Sequence, residues 1–93
     1  MTSILGIGEC MVELSTAGDA LLRQSYAGDV FNTLWYARAA LNEGWSCRFF
    51  TALGTDPVSE QMIAFMSSAG IDTTGIGRIT DRRPGLYMIH LDG

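Results

Sequence analysis

The stretch that decides the fold is Asp29-Val-Phe-Asn-Thr-Leu-Trp-Tyr-Ala-Arg-Ala-Ala-Leu-Asn-Glu-Gly44, with Ser46-Cys-Arg-Phe-Phe-Thr-Ala52 close behind it and Asp56-Pro57 after that. Val30, Phe31, Leu34, Trp35, Ala37, Ala39, Ala40 and Leu41 cover more than one stripe of a helix over 29–43, which predicts burial on several sides. Gly44 is placed to end that helix in the left-handed conformation. Residues 46–52 predict a strand. Asp56 as N-cap and Pro57 at the first helical position then open a second helix. Val58, Met62, Phe65, Met66 and Ala69 hold helical spacing along it until Gly70 stops it.

Upstream, residues 3–8 form a β-branched and glycine run that predicts a buried first strand ending in a tight turn. Strand, helix, strand, helix is the signature of a right-handed βαβ unit in a parallel sheet covered by helices. Between the first strand and helix lie two shorter extended stretches, 10–15 and 22–26, separated by the turn chemistry of Thr16-Ala-Gly-Asp19. They predict a hairpin or two strands of a small accessory sheet. Downstream, 71–80 is polar, glycine-punctuated and has short strand potential, while 85–91 is a strong extended run ending in Asp92-Gly93. Asp-Gly is a hairpin-turn signal, here without a second strand. With a sheet of few strands and a helix apolar on several sides, this leads to the expectation that the 93 residues are the front part of a larger protein. The alternative is a small free-standing domain with a fraying C-terminus.

Charge narrows the function classes. Ten acidic residues against six basic ones give a net charge of −4, which disfavours a nucleic-acid partner. All six basic residues are arginine, so a Walker-type phosphate lysine, a Schiff-base lysine and a polybasic membrane patch are excluded together. Charged residues make up 17% of the chain, below the roughly 25% of an average soluble domain. The start lacks a basic signal region and no apolar run approaches ~18 residues, so no membrane partner and a cytoplasmic location are expected. Cys10 and Cys47, without CxxC spacing, are expected to be reduced, partly buried thiols, with no metal site.

The residues with chemical potential gather around Tyr26-Ala-Gly-Asp-Val-Phe-Asn32. A glycine turn runs into a helix whose first turn carries Asp29 and, three residues on, Asn32, on one face. Close backbone approach at Gly28, a carboxylate at Asp29 and an amide at Asn32 would suit vicinal hydroxyl groups. Spacing alone equally allows Asp29 simply to cap the helix and offset its dipole. A carboxylate at this helix start favours a neutral hydroxyl over a phosphate there. Glu9 and Glu13 flank the end of the first strand, where open α/β sheets tend to bind ligands; a solvated surface is the other reading. Tyr87 alternates with Ile89 and Leu91 and packs on one face with them, as core or as pocket wall. His90 supports no triad, and Arg82 and Arg83 before Pro84 fit a solvated turn better than a carboxylate grip.

Four segments, in order and spacing, resemble the ribokinase-like (pfkB) carbohydrate kinases, more narrowly their keto-deoxygluconate kinase branch. They are Gly8-Glu-Cys-Met-Val-Glu-Leu-Ser15, Tyr26-Ala-Gly-Asp-Val-Phe-Asn-Thr33, Thr51-Ala-Leu-Gly-Thr-Asp56 and Arg83-Pro-Gly-Leu-Tyr87. The resemblance implies an α/β fold, the N-terminal part of a Rossmann-like ribokinase α/β/α sandwich with a small β-sheet lid formed near 10–27 and 71–93. It implies transfer of the ATP γ-phosphate to a hydroxyl of a sugar acid, with Mg2+, both bound mainly by a C-terminal half that these residues do not include. No catalytic residue is then expected in this chain, which alone should not catalyse. By position, Gly28, Asp29 and Asn32 match the family's sugar-binding segment, Tyr87 a lid tyrosine that contacts substrate, and Glu13 a variable acidic sugar ligand. The lid also implies a homodimer. Two residues depart from the pattern: Ala27 stands for the first glycine of the usual pair, and Ser59 for a glycine, the latter expected to affect packing only. The competing hypotheses are another pfkB sugar kinase, such as a fructokinase or ribokinase, and a non-catalytic sugar-binding or interaction module.

Overall fold

The computed structural model describes residues 2–89. Its body is a parallel three-stranded sheet in the order β1-β4-β6, from β1 (Thr2–Ile7), β4 (Trp45–Phe50) and β6 (Ile71–Asp72). Helix α1 (Asp29–Ala40) crosses over between β1 and β4, so the expected βαβ unit is present. Helix α2 (Pro57–Ser68) leads into β6. Beside this body stands a second three-stranded sheet, β3-β2-β8, made by the hairpin β2 (Met11–Thr16) and β3 (Leu22–Ala27) with β8 (Leu86–Ile89) parallel to β2. Two-residue strands β5 (Ala52–Leu53) and β7 (Gly77–Arg78) pair separately. Of the stretch 71–93, then, Ile71–Asp72 joins the body, Gly77–Arg78 pairs with β5, and only Leu86–Ile89 reaches the accessory sheet. His90 and the Asp92-Gly93 turn lie outside the described residues.

The two sheets are joined through an aromatic cluster. Phe31 and Trp35 on α1, Phe49 on β4 and Phe65 on α2 lie within 6.5 Å, centroid to centroid, and Trp35 stacks on Phe65 at 4.9 Å. Tyr26, from the end of β3, reaches the same Phe65 at 5.0 Å. Such pairs each contribute about 0.5–1.5 kcal/mol beyond area burial, so this cluster fixes the accessory sheet against the helices. The core around it is Cys10, Val12, Leu34, Cys47, Leu53, Met62, Met66 and Ile71.

Three expectations need correction. The first strand is not buried: Ile4 and Gly6 turn toward the core and α1, but Leu5 and Ile7 are exposed on the other face. The helices cover one side of the sheet among the described residues, so alternation along the strand leaves its second face open. Helix α1 ends at Ala40 rather than at Glu43, and Gly44 is not its left-handed stop. The chain turns extended at Leu41, and Arg38 in the last turn donates to the backbone carbonyls of Leu41, Asn42 and Trp45, tying the segment after the helix back onto it. The strand expected over 46–52 is split in two at Thr51.

Helix α2 starts as its sequence predicts. Asp56 is the N-cap, accepting from the Ser59 backbone N–H at 3.2 Å, and Gly70 beyond the helix has φ 87°. Ser59 does more than pack. Fully buried, its hydroxyl donates to Asp56 Oδ1 at 2.6 Å and accepts from the Gly54 N–H at 3.1 Å, tying the loop before the helix to its cap. These bonds to Ser59 hold the Asp56 carboxyl below its ordinary value. Ser59→Ala orphans the buried Gly54 N–H and is expected to cost ~1–3 kcal/mol, read as a lower urea midpoint at unchanged slope.

Candidate functional site

The site begins with two close approaches. At Gly6 on β1, a Cβ would lie 2.6 Å from Leu34 Cδ1, so the missing side chain lets α1 sit directly on the strand. At Gly28 the backbone runs at φ 152°, and a Cβ would meet the Glu9 carbonyl oxygen at 2.3 Å. Only glycine fits there. Gly28 is the N-cap of α1 without any side-chain cap, its carbonyl accepting from the Asn32 N–H at 2.7 Å. Asp29 therefore stands in the first turn without capping it, and the spacing-only alternative of a capping carboxylate is not what the structure builds.

Where the β1–β2 link, the end of β3, the start of α1 and β8 converge, they enclose a cavity of about 480 Å3. Its lining is Glu9, Met11, Ala27, Gly28, Asp29, Val30, Asn32 and Tyr87. Four of the five expected site residues, Gly28, Asp29, Asn32 and Tyr87, are thus brought together, with Tyr87 arriving from more than fifty residues away in sequence. Ala27, where the resemblance leads one to expect glycine, is part of the wall. No arginine lines this cavity, while Glu9 and Asp29 do. An anion would be repelled and a ligand rich in hydroxyls would find acceptors at Asp29 and Glu9, an amide at Asn32 and a phenol at Tyr87.

Glu13, the fifth, lies outside that lining and borders an adjoining cavity of about 270 Å3 with Asn32, Trp35 and Phe65. It occupies the central strand of the accessory sheet, directly opposite Ser25 on β3 and Tyr87 on β8. Directly opposite residues project to the same face. One carboxylate oxygen accepts from the Tyr87 hydroxyl at 2.5 Å, the other from the Ser25 hydroxyl at 2.9 Å. Tyr87, then Ser25, hold the Glu13 carboxyl below its ordinary 4.5. The same bond, with burial and the Glu13 charge, raises the Tyr87 phenol above its ordinary value.

Glu9 and Met11 are wall residues that the sequence offered only as a flanking acid and as an unremarked strand position. Ser25 was not singled out at all; it falls opposite Glu13 because the hairpin pairs about Asp19, with Thr16 opposite Leu22, and not about the middle of the Thr16–Asp19 turn. Arg82 and Arg83 are exposed and border a separate cavity with Thr55, Asp56, Thr80 and Asp81. Cys10 and Cys47 are free and fully buried rather than partly so. Burial, aided by the Glu9 charge, pushes the Cys10 thiol up to about 12, so it stays protonated and unreactive. Among the described residues no group of three or more His, Cys, Asp or Glu could hold a metal ion, and no helix is long and apolar enough to cross a membrane.

A βαβ body thus carries a small β-sheet beside a polar cavity at the helix start. The pfkB family carbohydrate kinase model matches residues 1–93, and the chain belongs to that family. It is 41% identical over 86 residues to 2-dehydro-3-deoxygluconokinase of Dickeya dadantii, an alignment covering 92% of this chain and 28% of the relative. The chain thus spans less than a third of that relative's length. Its fold is that of the 2-dehydro-3-deoxygluconokinase of Thermotoga maritima, with TM-score 0.82 and 21% identity over 95% of this chain and 28% of that one. The fructokinase of Xylella fastidiosa is equally similar in fold, with TM-score 0.80 and 24% identity over 100% of this chain and 31% of that one.

The Glu13 bonds carry a pH dependence. A carboxyl whose native value is depressed contributes stability above its unfolded value, here near 4.5, and loses it as pH falls through the native value. Amide exchange in β2 and β8 is expected to quicken as the pH drops below about 4.5 relative to the body strands, and this difference is expected to vanish in Glu13→Gln.

Proposed function

We propose that this chain is the acceptor-sugar side of a kinase that phosphorylates 2-keto-3-deoxygluconate to 2-keto-3-deoxy-6-phosphogluconate, acting in the cytoplasm. The observation that carries this is the cavity that gathers Gly28, Asp29, Asn32 and Tyr87, in a chain 41% identical to a 2-dehydro-3-deoxygluconokinase. Identity at that level favours the keto-deoxy sugar acid over fructose, because the fructokinase likeness is one of fold alone.

In this reading the Asp29 carboxylate accepts from one sugar hydroxyl, and the Asn32 amide one helical turn on bonds its neighbour. Gly28 lets the chain pass close enough to Glu9 for the two elements to share one ligand. Positioning of the acceptor is the contribution, and orientation can supply several kcal/mol of a phosphoryl-transfer barrier. The family reaction takes ATP and Mg2+. The residues described here do not fit either: among them no group of three or more His, Cys, Asp or Glu could hold an ion, and the cavity at the α1 start is lined by acids. No step is therefore assigned to the nucleotide or the metal in this chain. A second copy packing on the accessory sheet, where Leu22, Leu86 and Met88 are exposed, belongs to the same proposal.

The test is a coupled kinase assay, on the full-length kinase that contains these residues, with ATP across keto-deoxygluconate, fructose and ribose. Turnover of the sugar acid at least tenfold above the others is expected; equal rates on fructose would sink the substrate assignment. Asp29→Asn and Asn32→Ala are each expected to lower kcat/KM ~10–100-fold, mostly through KM, with unchanged melting temperature.

A further inference from the structure

Glu13 lies outside the lining of the larger cavity and already holds two partners within its own sheet. Its two carboxylate oxygens accept from Tyr87 and from Ser25, and both bonds follow from the register that sets it directly opposite those residues. It borders the smaller neighbouring cavity, whereas Tyr87 lines the larger one with Asp29 and Asn32. A phenol has a single proton. With that proton given to Glu13, the Tyr87 oxygen has only lone pairs to offer a ligand in the cavity that Tyr87 lines.

We propose that Glu13 is a positioning residue: it fixes the Tyr87 phenol as an acceptor, so that this wall of the cavity takes a ligand hydroxyl and rejects a carboxylate. This rests on the acceptor-site reading above and specifies how the sugar acid lies. Glu9 and Asp29 across the cavity repel an anion as well, and no arginine lines it to compensate. The ligand therefore enters by its hydroxyl-bearing end, with its carboxylate directed out of the cavity. The acidic position that the sequence offers as a sugar ligand acts one residue removed, through Tyr87. Ser25 anchors the other oxygen and keeps the carboxylate from swinging into the cavity.

A double-mutant cycle tests this. Binding of 2-keto-3-deoxygluconate by the full-length kinase is measured by calorimetry for wild type, Glu13→Gln, Tyr87→Phe and the double variant, alongside the kinase assay. Tyr87→Phe is expected to weaken binding about tenfold and Glu13→Gln by a similar factor, while Glu13→Gln adds less than about twofold in the Tyr87→Phe background. In ligand-free protein with ζ-carbon-labelled tyrosine, the resonance that Tyr87→Phe removes is expected to move in Glu13→Gln. If Glu13→Gln does not fold, Ser25→Ala loosens the same carboxylate and is expected to weaken binding about threefold in wild type and not at all with Phe at 87. An equal loss on both backgrounds would mean that Glu13 meets the ligand itself or merely holds the sheet, and overturns the proposal, as does a variant that binds like wild type. A full-length kinase that phosphorylates no sugar acid overturns the function, and this inference with it; one that does so with an additive cycle overturns the inference alone.

Discussion

Everything in this structure turns on the contact between the backbone of Gly28 and the carbonyl of Glu9. At that point the chain leaving the accessory sheet and the chain leaving β1 pass so closely that a single methyl group would stand 2.3 Å from an oxygen. The contact fixes three things together: where α1 begins, how β3 departs from it, and how far the β1–β2 link lies from the helix start. The cavity is what remains between them. Because the first helical turn cannot borrow a side-chain cap at Gly28, its free N–H groups and the Asp29 carboxylate share one exposed corner. A neutral, hydroxyl-bearing ligand satisfies both polarities at such a corner where a simple anion would not.

The accessory sheet supplies what the body lacks. It is held by Tyr26 on Phe65, by Val12 of β2 in the shared core with Leu14 packed against it, and by the continuity of chain at Gly28, while its own three strands are laced by Glu13 between two hydroxyls. Such a sheet carries Tyr87 to the cavity. The polar lacing also sets the chemistry that Tyr87 shows. A strand pair bound by an apolar contact at that position would leave the phenol proton free to turn toward an anionic ligand.

Legibility in the sequence followed the physics of each element. The βαβ unit was readable because apolar spacing, the Asp56-Pro57 cap and the Gly70 stop are local signals, each decided within a few residues. The end of α1 was not, because the chain turns extended at Leu41 and Arg38 holds the following segment through three carbonyls; a side-chain contact of that reach leaves no pattern in spacing. The open face of β1 was misread for a related reason. A β-branched run looks the same whether one face or both are covered, and Leu5 and Ile7 show that one is not. Gly28, Asp29 and Asn32 could be grouped by helix geometry alone, but their joining with Tyr87 depends on β8 pairing parallel to β2, a long-range fact.

Ser59 and Glu13 show the same lesson at the level of single side chains. Both sit where the family resemblance offers a simple role, a packing substitution in one case and a sugar ligand in the other. In both, the structure gives the polar atoms two partners apiece. A buried hydroxyl must find partners, and Ser59 does so by stitching a loop to a helix cap. The Glu13 carboxylate borders a different cavity from Tyr87, so its influence on a ligand in the larger one passes through that phenol. Position in a motif thus identifies the site, and hydrogen-bond bookkeeping decides which of its residues touch what enters it.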